Sequence, residues 1–144
     1  MDSEYNIQLD QYLRLIQSWI LPRDQGLTLR YGSFSADGKT PDRRLNQWFH
    51  LVSDMEGQGQ EHINQDFNLF VSEIESGNSI EFELSPSRQA YVLCLEGGLR
   101  VNDMMLEKHE AAEIQPASET LPLTFHGQTG EEQTHLLIYE MGKC

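Results

Sequence analysis

The residues of this 144-residue chain with types suited to chemistry are five histidines, two cysteines and a few close carboxylates. A transition-metal site needs three or four N, O or S donors converging on one point, and no two histidines here have a short, ligand-like spacing. His50 sits in an apolar run beside Trp48 and Phe49, which predicts a hydrogen-bonded, partly buried ring. His62, His109 and His126 flank turns and are expected in solvent, and His135 opens the last apolar stretch. Glu81 and Glu83 share one face of a strand, and Glu131 and Glu132 are neighbours in a loop. General acid–base work needs carboxylates facing each other across a cleft with a shifted pKa, so both pairs read as solvated surface. Cys94 lies mid-strand with no histidine near it in sequence, which predicts core packing and not a nucleophile. Asp2 and Glu4, two apart, would share one side of an extended segment and bind a cation weakly; a frayed terminus is the expectation there.

The elements that must position these residues are short. Apolar stretches rich in β-branched and aromatic residues are bounded by Gly, Pro, Asn or Ser, the punctuation of strands. Strands are predicted at 13–21, 48–52, 67–74, 80–84, 90–95, 99–101, 111–114, 121–125 and 135–141, with a polar connection at 32–44 and a glycine loop at 54–60. Residues 80–84 alternate cleanly, with Ile80, Phe82 and Leu84 on one face and Glu81 and Glu83 on the other. Residues 45–55, the one helix candidate, have no clear three-to-four spacing of apolar positions. Many short antiparallel strands joined by glycine turns imply an all-β sandwich, jelly roll or barrel.

Composition narrows the partners. Ten basic against 23 acidic residues give a net charge of −13, and the basic residues are scattered, Arg43-Arg44 being the one adjacent pair. A phosphate backbone would be repelled by such a field, so nucleic-acid binding is disfavoured and a basic protein partner is compatible. No segment approaches the roughly 20 apolar residues of a spanning helix. The acidic start Met1-Asp2-Ser3-Glu4 lacks the basic and then apolar pattern of a signal peptide, and Cys94 with Cys144 is no disulfide framework. The expectation is a cytoplasmic protein without a membrane partner.

Gly77 and Gly97 stand at the separation found in the first motif of the cupins, small β-barrels that often hold a metal: Gly, five residues, His-x-His, three or four residues, Glu, six residues, Gly. By this resemblance Ala90 stands where the ligand Glu belongs, and the two His positions fall on Glu83 and Ser85 or, with the shorter gap, on Leu84 and Pro86. The second register is preferred, because it continues the inward face of Ile80, Phe82 and Leu84, whereas a slip of one residue would drive Glu83 unpaired into the core. In both registers the ligands are gone. The stretch His109-Glu110-Ala111-Ala112-Glu113-Ile114-Gln115-Pro116 resembles the opening of the second cupin motif, whose ligand position falls near Leu121 or Pro122.

The N-terminal residues sharpen the resemblance. Ser3-Glu4-Tyr5-Asn6, then Leu15-Ile16-Gln17-Ser18-Trp19-Ile20-Leu21-Pro22, Gly26-Leu27 and Tyr31 look like the middle of the pirins and related bacterial quercetin 2,3-dioxygenases. Those proteins are bicupins, and Ser87-Arg88-Gln89-Ala90-Tyr91-Val92 with Leu95-Glu96-Gly97 is similar to the core hairpin of their second barrel. The resemblance implies a cupin (double-stranded β-helix, jelly-roll-like) barrel over 32–144, preceded over 1–31 by an arm and linker resembling the end of the first barrel. It implies that the family's iron or other divalent metal belongs to that first barrel, on a His pair with no counterpart in these residues. Of the family's ligands Glu4 alone is matched, the neighbouring His being Asp2.

The expected site is therefore a vestigial, apolar and uncharged interior lined by Phe82, Leu84 and Ala90, with no catalytic residue, metal ligand or cofactor. The expected role is a non-catalytic pirin-like module, structural or protein-binding; the alternative is a metal-dependent, quercetin 2,3-dioxygenase-like enzyme or a small-molecule-binding cupin. Family pirins include nuclear proteins resembling transcriptional co-regulators, which adds the nucleus as a location if the source is eukaryotic. The apolar strand at 13–21 and its unpaired edge need cover, which predicts a homodimer made by pairing or swapping that strand.

Overall fold

The computed structural model describes Ser18, residues 44–128 and residues 133–142. Within them ten strands form two sheets, and none of these residues is helical. The strands are β1 (Phe49–Asp54), β2 (Glu61–Ile63), β3 (Phe67–Ile74), β4 (Ser79–Leu84), β5 (Arg88–Glu96), β6 (Leu99–Val101), β7 (Met104–Leu106), β8 (Ala111–Ile114), β9 (Leu121–Gly127) and β10 (Thr134–Gly142). The six-stranded sheet runs β2-β1-β3-β10-β5-β8 and the four-stranded sheet β4-β9-β6-β7. Every pairing is antiparallel except β1 with β2. This is the all-β, cupin-type double-stranded β-helix expected of the sequence.

The core lies between the sheets. Ile74, Leu84, Ala90, Val92, Cys94, Leu99, Phe125, Leu136 and Ile138 form one buried cluster, with Trp48, Phe70, Ile80 and Phe82 packed against it. Aromatic edges organise the space: the Trp48 ring meets Phe82 at 5.5 Å and Phe125 at 5.1 Å, both edge-on, the arrangement that ring quadrupoles favour. The Trp48 indole Nε1–H donates to the Glu81 carbonyl at 2.7 Å, so its polar handle is satisfied.

Strand β4 follows its alternation. Leu84 is 1% exposed, while Glu81 and Glu83 face solvent. The turn into β5 places Ser87 at φ 63°, and Gly97 closes the far end of β5 at φ 72°, where a Cβ would come within 2.9 Å of Thr134 Oγ1. Two strands were not predicted. The edge strand β7 carries the exposed Met104 and Met105 in a three-residue hairpin arm, and β2 is a three-residue, half-buried strand paired in parallel.

Residues 1–17 and 19–43 lie outside the described residues, so the expectations for Asp2, Glu4 and the arm over 1–31 fall outside them too. Ser18 is not in a strand, and its Oγ lies 2.9 Å from the Tyr139 hydroxyl.

Candidate functional site at the barrel mouth

Register places the cupin ligand positions in space. On the six-stranded sheet, one row across the inner face is Asn68 (β3), Glu140 (β10), Ala90 (β5) and Ile114 (β8). The next row inward is His50, Phe70, Ile138, Val92 and Ala112. Opposite, on the four-stranded sheet, Leu84 pairs with Leu121 and Phe82 with Leu123. Leu84 and Ala90 are buried and Phe82 is half-buried against them. Leu84, Ala90 and Leu121 have no N, O or S donor in their side chains, so the residues at the cupin ligand positions do not fit a metal. Among the described residues no three His, Cys, Asp or Glu side chains are grouped to hold one.

The interior beside Ala90 is nevertheless charged, which differs from the uncharged lining expected of the sequence. Glu140 is 9% exposed and follows Leu136 and Ile138 on the inward side of β10. Its carboxylate is held by the fork of Arg88, from Nη2 to Oε1 at 2.5 Å and from Nε to Oε2 at 3.2 Å. Asn68 Nδ2 donates to the same Oε1 at 3.0 Å. The other guanidinium nitrogen, Nη1, donates to both oxygens of Asp66 at 2.9 and 2.7 Å. Planar, five-donor geometry is what lets one arginine serve two carboxylates in this way. Hydrogen bonding to Glu140 and then to Asp66, together with their charge, holds the Arg88 guanidinium above its ordinary pKa against the cost of burial.

His50 completes the chain of contacts. Its Nε2 lies 2.8 Å from Asn68 Oδ1. Because the Asn68 amide donates to Glu140, Oδ1 is the accepting end, and His50 Nε2 therefore carries the proton. The ring stacks on Phe70 with centroids 4.3 Å apart. This is the partly buried, hydrogen-bonded histidine expected. His62 Nε2 lies 3.0 Å from the Gly57 carbonyl, and His135 Nε2 lies 2.7 Å from Glu73 Oε1, so both are tied to local structure. Cys94 is fully buried in the core cluster; burial, with the charge of Glu110 adding to it, pushes its thiol from 9.0 up to about 11. A thiol held protonated is a poor nucleophile.

Sequence reasoning missed Arg88, Glu140, Asn68 and Asp66. The signal was parity: Glu140 stands two and four residues from Ile138 and Leu136, and Asn68 two from Phe70. An acid in phase with the core residues of a strand needs a buried partner.

Comparison with known proteins places the fold. Residues 50–141 match the family described as the quercetinase C-terminal cupin domain. Among curated proteins, the chain is 28% identical over 114 residues to "Putative quercetin 2,3-dioxygenase PA1210" of Pseudomonas aeruginosa, covering 78% of this chain and 47% of that protein. It is likewise 28% identical over 117 residues to "Putative quercetin 2,3-dioxygenase PM1685" of Pasteurella multocida, covering 46% of it. The chain thus spans about half the length of the curated relatives it matches. Among solved structures, YhhW from Escherichia coli superposes with a TM-score of 0.70 at 16% identity, covering 88% of this chain and 49% of that one. A second structure of the same bacterial pirin, in complex with nickel(II), superposes equally well at 15% identity.

Proposed function

The chain belongs to the quercetinase C-terminal cupin domain family, a pirin-like cupin related to the quercetinases, and from that premise we propose that this barrel is a non-catalytic module with a structural or protein-binding role. One observation carries the proposal. Where a catalytic cupin assembles ligands around a cation, this barrel has Leu84, Ala90 and Leu121, and the acid beside them, Glu140, already holds the guanidinium of Arg88. A side-chain cation neutralises the buried carboxylate, so a metal entering here would have to displace a bidentate ion pair and would gain no imidazole at the vacated His positions.

The family's metal chemistry, on this reading, resides in the half of the longer relatives that this chain does not span. A net charge of −13 favours a basic protein surface over nucleic acid as the partner. The test is a quercetin turnover assay on the purified chain supplemented in turn with iron(II), nickel(II) and manganese(II). The expected result is consumption no faster than with the metal salts alone. Metal-dependent turnover by the chain would overturn the proposal in favour of a dioxygenase-like enzyme.

A further inference from the structure

The six-stranded sheet has a second apolar face, turned away from the core. Its side chains fall in register: Phe49, Val71, Leu137 and Leu93 make one row, and Leu69, Tyr139 and Tyr91 the next. Phe67 and Tyr139 pack at 5.9 Å between ring centroids, and Tyr139 meets Tyr91 at 6.3 Å. Phe49, Phe67, Val71 and Leu137 are all buried, yet none belongs to the core cluster between the sheets. At the margin Tyr91 is 44% exposed. The outer face is therefore shielded over its centre by something other than the four-stranded sheet, which occupies the inner side.

Ser18 shows what reaches it. Its Oγ lies 2.9 Å from the hydroxyl of Tyr139, 121 residues away in sequence, in a solvent-exposed contact on this face. The residues around Ser18 read Leu13-Arg-Leu-Ile-Gln-Ser-Trp-Ile-Leu21, the most apolar stretch of the N-terminal region. We propose that the outer face of the six-stranded sheet is a docking surface for residues 13–21 of the same chain, which cover it in cis. The proposal is independent of the functional reading above, and a homodimer made by pairing or swapping this segment is the competing outcome of its test. The segment is apolar on both sides: an extended stretch with Ser18 over Tyr139 would bring Ile16 and Ile20 to the same side as Ser18 and leave Leu13, Leu15, Trp19 and Leu21 on the other.

The test is proximity cross-linking in the full chain. Ser18→Cys and Tyr139→Cys are combined in a Cys144→Ser background, Cys94 being fully buried, and treated with a short bis-maleimide. The expected product is an internally linked single chain whose yield is unchanged by an excess of unlabelled wild-type chain. A product of doubled mass would assign the cover to a second copy, and no linked product would remove the segment from the face; either overturns the proposal. Because Tyr139→Cys disturbs the face it reports on, a second variant keeps Tyr139. Ile16→Asp with Ile20→Asp should raise the fluorescence of an apolar-surface dye several-fold while the β-sheet circular dichroism is retained. Unchanged dye fluorescence in a folded variant would count against cis cover.

Discussion

Strand β10 passes through two regions of one interior that are built on opposite principles. At its start, Leu136 and Ile138 are fully buried among Ile74, Val92 and Cys94. Two residues on, in the same phase, Glu140 is nearly as buried and is surrounded by Arg88 and Asn68. The apolar end is stabilised by area removed from water, which is non-directional and tolerant of shape-conserving change. The charged end depends on geometry, since a carboxylate is tolerated inside only while its partners stay in place. The difference teaches that a cupin barrel with Leu84 and Ala90 at its expected ligand positions need not be uniformly apolar beside them; one internal ion pair keeps that end of the interior polar.

Substitutions at each end should behave differently. At the apolar end, Phe125→Ala removes a fully buried ring that contacts Trp48 and should cost about 3–5 kcal/mol in urea unfolding. At the charged end, Arg88→Met alone strands Glu140 and should cost about 3–4 kcal/mol, whereas the double variant Arg88→Met with Glu140→Leu should recover to within about 1 kcal/mol of wild type. That recovery is what separates a geometric pair from simple burial; equal losses in the single and double variants would erase the distinction.

A third expectation follows from Cys94. Its folded-state pKa is raised from 9.0 to about 11, so the native state keeps the thiol proton that the unfolded chain loses. The stabilisation is fully present below pH 9 and is lost as pH rises through about 11, so stability should fall across that window. The effect is on the order of 3 kcal/mol, and comparing wild type with Cys94→Ala by chemical denaturation at several alkaline pH values isolates it. The smallest effect sharpens the contrast within one guanidinium. Asp66, on the exposed side of Arg88, has a side chain 55% exposed against 12% for Glu140. Asp66→Asn should therefore shift stability by less than about 1 kcal/mol, and a loss as large as that of the Arg88 single variant would mean that the two acids act as one unit.

Much of the fold was legible because strand alternation and glycine turns are local signals. The inward phase of Ile80, Phe82 and Leu84 could be read directly, since Glu81 and Glu83 between them mark the outer side. The six-stranded sheet was harder, because both its faces are apolar and polarity no longer tells inside from outside. In β3, Phe67, Leu69 and Val71 alternate with Asn68, Phe70 and Ser72, which by polarity would turn the first set inward, yet Phe70 with Asn68 and Ser72 is on the core side and Leu69 and Val71 face away. For that reason Asn68 and Glu140 did not stand out. Strands β2 and β7, three residues each, are too short to show a period and are held by their neighbours. The Arg88–Glu140 contact joins residues 52 apart in sequence, and only the pairing of β5 with β10 brings them together.

The most direct test of the central claim, that Arg88 rather than a metal neutralises the barrel mouth, is native mass spectrometry of the full chain after incubation with nickel(II) or iron(II) and desalting. The account predicts the mass of the bare polypeptide for wild type. A stoichiometric metal adduct that survives desalting and disappears in Glu140→Gln would contradict it, because the carboxylate would then be a ligand and not the counter-ion of Arg88.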